Sequence, residues 1–68
     1  MTRPININMA SAEQLESLPG IGPVLARRIV EWRERVGPFE RVDDLVEVPG
    51  VGPRVLERLR GRVAAATP

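Results

Sequence analysis

The sequence predicts a small all-α domain made of two copies of one helix–turn–helix unit. Residues 18–23, with the sequence LPGIGP, recur thirty residues later as VPGVGP at 48–53, and the flanking Leu15 matches Leu45 in the same register. Self-similarity at a fixed spacing indicates a duplicated structural unit. A chain of 68 residues has room for one such pair and for no second domain.

Composition removes most catalytic chemistry. The chain contains no Cys, His or Lys, so disulfides, Cys/His zinc sites, thiol or imidazole catalysis and Schiff-base chemistry are excluded. Its ten arginines against nine carboxylates give a net charge of +1, which by itself does not indicate nucleic acid. The longest apolar run has only four residues, so no membrane segment is expected in this chain. We therefore expect a binding domain and no enzyme.

The N-terminal residues 1–10 are predicted to form an extended arm. Residues 4–8 alternate apolar and polar side chains as a strand does, but no partner strand is evident, so the arm is expected to lie over the helices. The helical domain is expected to span residues 11–63, with repeat 1 at about 11–36 and repeat 2 at about 41–63. Residues 64–68 are expected to be a frayed tail.

The first repeat begins with a helix-capping signal. Ser11 followed by Gln14 three residues later forms a capping box, which predicts a short helix from Ala12 to about Ser17. Pro23 suits the first position of a second helix, which the pattern extends to Val36. Its apolar side chains share one face at helical spacing: Leu25, Ile29, Trp32 and Val36.

The second repeat has the same order of elements in shorter form. The pattern predicts a turn or two of helix around Val42 to Glu47 and a final helix from Pro53 to about Arg60. If that final helix persists, the arginines at four-residue spacing form one ridge leading away from the second turn: Arg54, Arg58 and Arg62. Such a ridge could equally be a solvated helix face, and its position next to a glycine-rich turn favours DNA.

Each Gly-apolar-Gly turn is able to bind phosphate. Gly20 and Gly22, like Gly50 and Gly52, permit a close approach to the main chain. The N–H groups at a helix start have no partner within the helix and make that end electropositive. A single such turn is more often only a tight turn, but two on one small body suit two phosphates of a polyanion. The apolar middle residues, Ile21 and Val51, are expected to point inward.

These motifs resemble a known family. LPGIGP and VPGVGP, with the residues that follow each, are similar to the helix-hairpin-helix motif in its tandem form. The segment NINMASA at residues 6–12, GPF at 37–39 and VDDL at 42–45 resemble the DNA-binding domain of the ComEA competence proteins. The resemblance spans about residues 5–63. It implies a compact SAM-like helical bundle with a short extended N-terminal arm.

The resemblance further implies sequence-independent binding of double-stranded DNA, with each hairpin on one strand across the minor groove. Its DNA-binding residues would be the two turns, the helix starts that follow them and the nearby arginines: Gly20, Ile21, Gly22, Val24, Leu25, Arg27, Arg28, Gly50, Val51, Gly52, Arg54, Val55, Arg58 and Arg62. At position 24 the family often has a basic residue and this chain has Val, which implies weaker phosphate binding by the first hairpin.

The family's hairpins can also hold a monovalent cation, K⁺ or Na⁺, on main-chain carbonyls. Here these would be the carbonyls of Glu16, Leu18 and Ile21, or of Val46, Val48 and Val51. The resemblance leaves two locations open, outside the cytoplasmic membrane as in a competence receptor, or the cytoplasm. A monomer is expected, working with DNA-uptake or repair machinery. The alternatives are an accessory domain in repair or recombination and a protein-interaction module.

Overall fold

The computed structural model describes residues 3–67, so the first two residues of the predicted arm and the last of the predicted tail lie outside the described residues. Its helices are α1 (Ala12–Glu16), α2 (Pro23–Arg35), a 3₁₀ helix (Val42–Glu47) and α3 (Pro53–Leu59). Two short strands, β1 (Ile5–Asn6) and β2 (Val63–Ala64), lie at the two chain ends. The predicted class, a mainly helical domain with two helix–turn–helix repeats, is confirmed.

The helix boundaries follow the predicted capping signals. Ser11 Oγ accepts the Gln14 N–H at 3.1 Å and Gln14 Oε1 accepts the Ser11 N–H at 2.9 Å, which completes the capping box of α1. Pro23 and Pro53 occupy the first turns of α2 and α3, where a missing N–H costs no hydrogen bond. The predicted place of Val36 on the apolar face of α2 is wrong: α2 ends at Arg35, the chain turns away at Gly37, and the Val36 side chain is 66% exposed.

Both repeats contribute equivalent side chains to one core. Among residues 3–67, fourteen buried hydrophobic residues form a single cluster. Ten of these are five pairs separated by thirty positions: Leu15 and Leu45, Leu18 and Val48, Ile21 and Val51, Ala26 and Leu56, Ile29 and Leu59. The duplication seen in the sequence is therefore a duplication of the core.

The linker between the repeats is fixed by aromatic packing. Phe39 is fully buried and stacks on Trp32, with ring centroids 4.4 Å apart and an interplanar angle of 11°. Both rings are thus engaged within the fold, and this packing fixes the path from α2 to the 3₁₀ helix.

The two chain ends differ from the prediction of an unpaired arm and a frayed tail. β1 pairs with β2 in parallel, with Ile5 opposite Val63 and Asn6 opposite Ala64. The Ile5 N–H donates to the Arg62 carbonyl and the Ile7 N–H to the Ala64 carbonyl, both at 2.9 Å. A pair this short carries no recognisable sequence signal, because its stability comes from the core beneath it.

Two asparagines in the arm hold this arrangement together. Asn8 Oδ1 accepts the Phe39 N–H at 2.7 Å, and Asn8 Nδ2 donates to the carbonyls of Phe39 and Ala66 at 3.0 and 3.2 Å. Asn6 Oδ1 accepts the Ala66 N–H at 3.2 Å. The polar positions of the alternating segment thus tie together the arm, the linker and the tail.

Within residues 3–67, no helix combines the length and apolar character needed to cross a bilayer.

Candidate nucleic-acid interface

The first glycine of each turn is required by the backbone. Gly20 has φ +82° and Gly50 has φ +97°, in the region that side-chain-bearing residues avoid. The next residue points inward as predicted, since Ile21 and Val51 are buried. Their N–H groups bond back to the carbonyls of Leu18 and Val48, at 3.1 and 3.0 Å. Ile21 and Val51 therefore fix the turns and have no N–H left for a ligand.

The second glycine of each turn is not required by the fold. Gly22 and Gly52 are the N-cap residues of α2 and α3 and have extended backbones, with φ −96° and −93°. A Cβ atom added at either position would meet nothing within 4 Å. Glycine is among the favoured N-cap residues, but neither a left-handed backbone nor internal packing requires it here. The open space lies directly at the start of each helix.

Free main-chain donors cluster at these two openings. The first helical bonds run from the Ala26 N–H to the Gly22 carbonyl and from the Leu56 N–H to the Gly52 carbonyl, at 2.9 and 3.0 Å. Within residues 3–67, no acceptor is recorded for four N–H groups at each hairpin: those of Gly20, Gly22, Val24 and Leu25, and those of Gly50, Gly52, Arg54 and Val55. Each group lies at an electropositive helix start.

Each hairpin packs against the helix of the other repeat. A Cβ at Gly20 would contact Val55 Cγ1 at 3.9 Å, whereas a Cβ at Gly50 would lie only 2.6 Å from Leu25 Cδ2. Leu25 and Val55 occupy equivalent positions in the two repeats, so the contacts are reciprocal. The two groups of N–H donors are consequently held on one body.

The arginines fall into different environments. Arg28 Nη1 donates to the Pro49 carbonyl at 3.0 Å, so this predicted phosphate ligand already has a partner in the second hairpin. Arg27, Arg54 and Arg58 are exposed, and no hydrogen bond or ion pair is recorded for their side chains in the part of the chain described. Sequence periodicity could not reveal the role of Arg28, because its partner is a carbonyl in the other repeat.

The predicted ridge of three arginines is wrong in one member. α3 ends at Leu59 and the chain reverses at Gly61, whose φ is +82°. Arg54 and Arg58 share one helix face, but Arg62 lies outside the helix, beside Leu18 and Pro19 at the base of the first hairpin. At the equivalent of Arg54, the first repeat presents Val24, which is 59% exposed.

The carbonyls suggested for a monovalent cation are partly engaged. The Leu18 and Val48 oxygens each accept one N–H bond, from Ile21 and Val51. For the carbonyls of Glu16 and Ile21, and of Val46 and Val51, no donor is recorded in residues 3–67. Neutral oxygens of this kind suit an alkali cation. Within the same residues, no group of three or more acidic, His or Cys side chains could hold a metal ion.

Comparison with known proteins identifies the fold represented by these two hairpins. The helix-hairpin-helix motif matches residues 2–64, nearly the whole chain. The chain belongs to the helix-hairpin-helix family. Both hairpins and all four helices lie within the matched range.

Three relatives contain a similar segment, which makes up a different share of each protein. The ComE operon protein 1 of Bacillus subtilis is 34% identical over 59 residues, which are 87% of this chain and 29% of that protein. An uncharacterized protein of Haemophilus influenzae is 43% identical over 60 residues, 87% of this chain and 54% of that protein. The human endonuclease/exonuclease/phosphatase family domain-containing protein 1 is 43% identical over 63 residues, 93% of this chain and 11% of that protein.

Proposed function

We propose that this helix-hairpin-helix domain binds double-stranded DNA without sequence preference, with one hairpin on the phosphate backbone of each strand. The observation that carries the proposal is the pair of openings at Gly22 and Gly52, each with four free N–H donors and no internal use for its glycine. A phosphate oxygen can accept several such donors, and the helix start favours its negative charge.

The chemistry of these donors favours binding that is independent of base sequence. Main-chain N–H groups contact phosphate oxygens, which are the same for every base. Both aromatic side chains are packed against each other, so neither supports base stacking of a single strand. Arg54 and Arg58 add positive charge beside the second opening, which favours phosphate contact.

Among the possible pathways, we favour DNA uptake for this domain. This preference rests on the likeness to the ComE operon protein 1, of which this chain covers 29%. The likeness to the endonuclease/exonuclease/phosphatase family domain-containing protein 1 covers 11% of that protein, and we propose no enzymatic activity on the basis of its name.

The proposal is tested by fluorescence anisotropy with several labelled duplexes of unrelated sequence, between 50 and 200 mM salt. We expect similar affinities for all of them and a loss of affinity as salt rises, because each neutralised phosphate contributes a log–log slope of about 0.9. Absence of binding at the lowest salt would refute DNA binding and would leave the protein-interaction alternative. A strong preference for one duplex would refute sequence independence.

The openings are tested by graded substitution. Gly22 and Gly52 are each changed to Ala and then to Val. The backbone is extended at both positions and leaves space for a Cβ atom, so both side chains can be accommodated. Because a charged hydrogen bond contributes about 1.5–3 kcal/mol, blocking one opening with Val is expected to weaken DNA binding about tenfold or more, with Ala in between. Melting temperatures serve as the control for folding. Folded Val variants that bind as the parent does would contradict the proposal.

A monovalent cation on the hairpin carbonyls is a second element of the proposal. The carbonyls with no recorded donor at Glu16 and Ile21, or at Val46 and Val51, would hold K⁺ or Na⁺ close to the N–H groups, where its charge adds to theirs. Replacing both ions by tetramethylammonium at constant ionic strength is expected to weaken DNA binding, since that cation is too large for such a site. Equal binding in all three salts would exclude this element.

A further inference from the structure

A pocket of about 300 Å³ lies between the two chain ends and the first hairpin. Arg3 and Arg62 line it together with Ser17, Leu18 and Pro19. Leu18 and Pro19 directly precede Gly20, the first glycine of the hairpin turn. The pocket is therefore continuous with the base of the first hairpin, and it involves none of the residues that form the openings.

The strand pairing brings the two arginines together from opposite ends of the chain. In the parallel register, Ile5 lies opposite Val63, and the Ile5 N–H donates to the Arg62 carbonyl at 2.9 Å. Arg62 is held there by its main chain, which leaves its side chain available. The sequence predicts Arg62 on a helix ridge that binds DNA and assigns no role to Arg3. It therefore does not predict a pocket that the two arginines share.

The described residues that line the pocket include two positive side chains and no negative one. No Asp or Glu lines it, and within residues 3–67 no hydrogen bond or ion pair is recorded for either guanidinium. The Ser17 hydroxyl donates to the Gln14 carbonyl at 2.6 Å, so the free donors in the pocket side chains are those of the two arginines. Arginine binds phosphate with paired N–H donors, so two arginines that line one pocket suit a phosphate group.

We propose that this pocket binds a phosphate group of the DNA strand held by the first hairpin. The proposal rests on the function proposed above and extends its interface by one contact. The first hairpin has Val24 where the second has Arg54, so the first turn of α2 carries no positive side chain, and Arg27 follows it. Arg3 and Arg62 supply further positive charge from the base of the hairpin.

The experiment compares salt dependence of duplex binding for Arg3→Gln, Arg62→Gln and the double variant. Losing one phosphate contact is expected to lower the log–log salt slope by about 0.9, so that between 50 and 200 mM salt a single variant loses roughly 3.5-fold less affinity than the parent. Arg41→Gln is the matched control, because Arg41 is exposed, does not line this pocket and lies at the start of the 3₁₀ helix, whose other end leads into the second hairpin. The Ile5-to-Arg62 bond uses main-chain atoms, so Arg62→Gln retains it.

The outcomes separate the two proposals. If the parent binds duplexes but both single variants keep the slope of Arg41→Gln, the pocket proposal is wrong and the proposed function stands. If the parent binds no duplex, the proposed function fails and the pocket proposal fails with it.

A second readout is the NMR signal of the arginine Nε–H groups in the parent, which is expected to shift at Arg3 and Arg62 on duplex addition. Shifts with inorganic phosphate but not with the duplex would indicate a site for free anions and overturn the proposal.

Discussion

The two repeats share a core and differ on their surfaces. Five pairs of buried side chains obey the thirty-residue spacing, from Leu15 and Leu45 to Ile29 and Leu59. Around this common core, repeat 1 has an α1 helix and a 13-residue α2, whereas repeat 2 has a 3₁₀ helix and a seven-residue α3. Duplication thus fixes how the hairpins are supported and leaves helix length and surface chemistry free to differ.

The surface differences divide tasks between the repeats. Arg28 of repeat 1 bonds to the Pro49 carbonyl and so supports the second hairpin, whereas no equivalent bond is recorded within residues 3–67 for Arg58. Repeat 2 in turn presents Arg54 where repeat 1 presents Val24. Repeat 1 therefore positions the hairpin of repeat 2, and repeat 2 supplies more of the free charge at a helix start.

The largest expected difference between the repeats concerns the first glycine of each turn. Gly50→Ala places a Cβ 2.6 Å from Leu25 Cδ2 and 2.9 Å from Arg28 Nη1 at φ +97°. The left-handed backbone costs about 1–2 kcal/mol, and displacing the two side-chain ends, with loss of the Arg28 bond to the Pro49 carbonyl, is expected to add about 1 kcal/mol. Gly20→Ala meets Val55 at 3.9 Å and is expected to cost about 1–2 kcal/mol from the backbone alone. Urea unfolding measures both. Equal losses would contradict the asymmetry.

The next effect tests the hydrogen bond between the repeats. Arg28→Gln is expected to lower the free energy of unfolding by about 1 kcal/mol, because the Pro49 carbonyl loses its donor on an exposed surface. Arg58→Gln removes the same charge at the equivalent position and is expected to change stability by less than about 0.5 kcal/mol. Thermal and urea unfolding of the two variants provide the comparison. If both variants lose the same stability, Arg28 does not support the second hairpin.

Exchanging the side chains at positions 24 and 54 tests the division of charge. Arg54→Val is expected to lower the log–log salt slope of DNA binding by about 0.9. Adding Val24→Arg is expected to restore it, because the same charge then lies at the equivalent helix start of repeat 1. Anisotropy over a salt series measures the slope, with Arg41→Gln as the control for net charge. A double variant that binds as weakly as Arg54→Val would show that the hairpins are not equivalent.

The smallest expected effect concerns two ion pairs of Arg60 in repeat 2, which have no counterpart in repeat 1 among residues 3–67. Arg60 Nη1 lies 2.9 Å from Asp43 Oδ1, and Arg60 Nε lies 3.1 Å from Glu57 Oε2. The counterpart of Arg60 in repeat 1 is Val30. All three charged side chains are about half exposed or more, so Arg60→Gln is expected to lower the free energy of unfolding by less than about 1 kcal/mol. Urea unfolding at low and high salt checks this. A loss of stability well above about 1 kcal/mol would mean that the Arg60–Asp43 ion pair, and not the shared core, holds the 3₁₀ helix to α3.

Local signals predicted much of the fold correctly. The capping box at Ser11, the prolines that open α2 and α3 and the duplicated turns each depend on neighbouring residues, so the chain itself encodes them. The inward direction of Ile21 and Val51 followed from the same turns. The free N–H donors at the two helix starts likewise follow from local helix geometry, so the main-chain part of the candidate site was predictable.

Contacts between distant residues could not be predicted in this way. The pairing of Ile5 with Val63 joins the two chain ends and depends on the core beneath them. Arg62 was misplaced because a four-residue spacing continues past the point where Gly61 ends the helical path. Val36 was misplaced for the same reason at the end of α2. Periodicity describes a helix but does not determine where tertiary packing ends it.

The sequence by itself determined the two hairpins, the shared core and the donors at the helix starts, because each arises from residues a few positions apart or from exact repetition. Tertiary structure alone decided which charges are free. It assigned Arg28 to the Pro49 carbonyl and brought Arg3 and Arg62 to the first hairpin, through a strand pair between the chain ends. The physical reason is that a side chain's partner depends on the position of the rest of the chain in space.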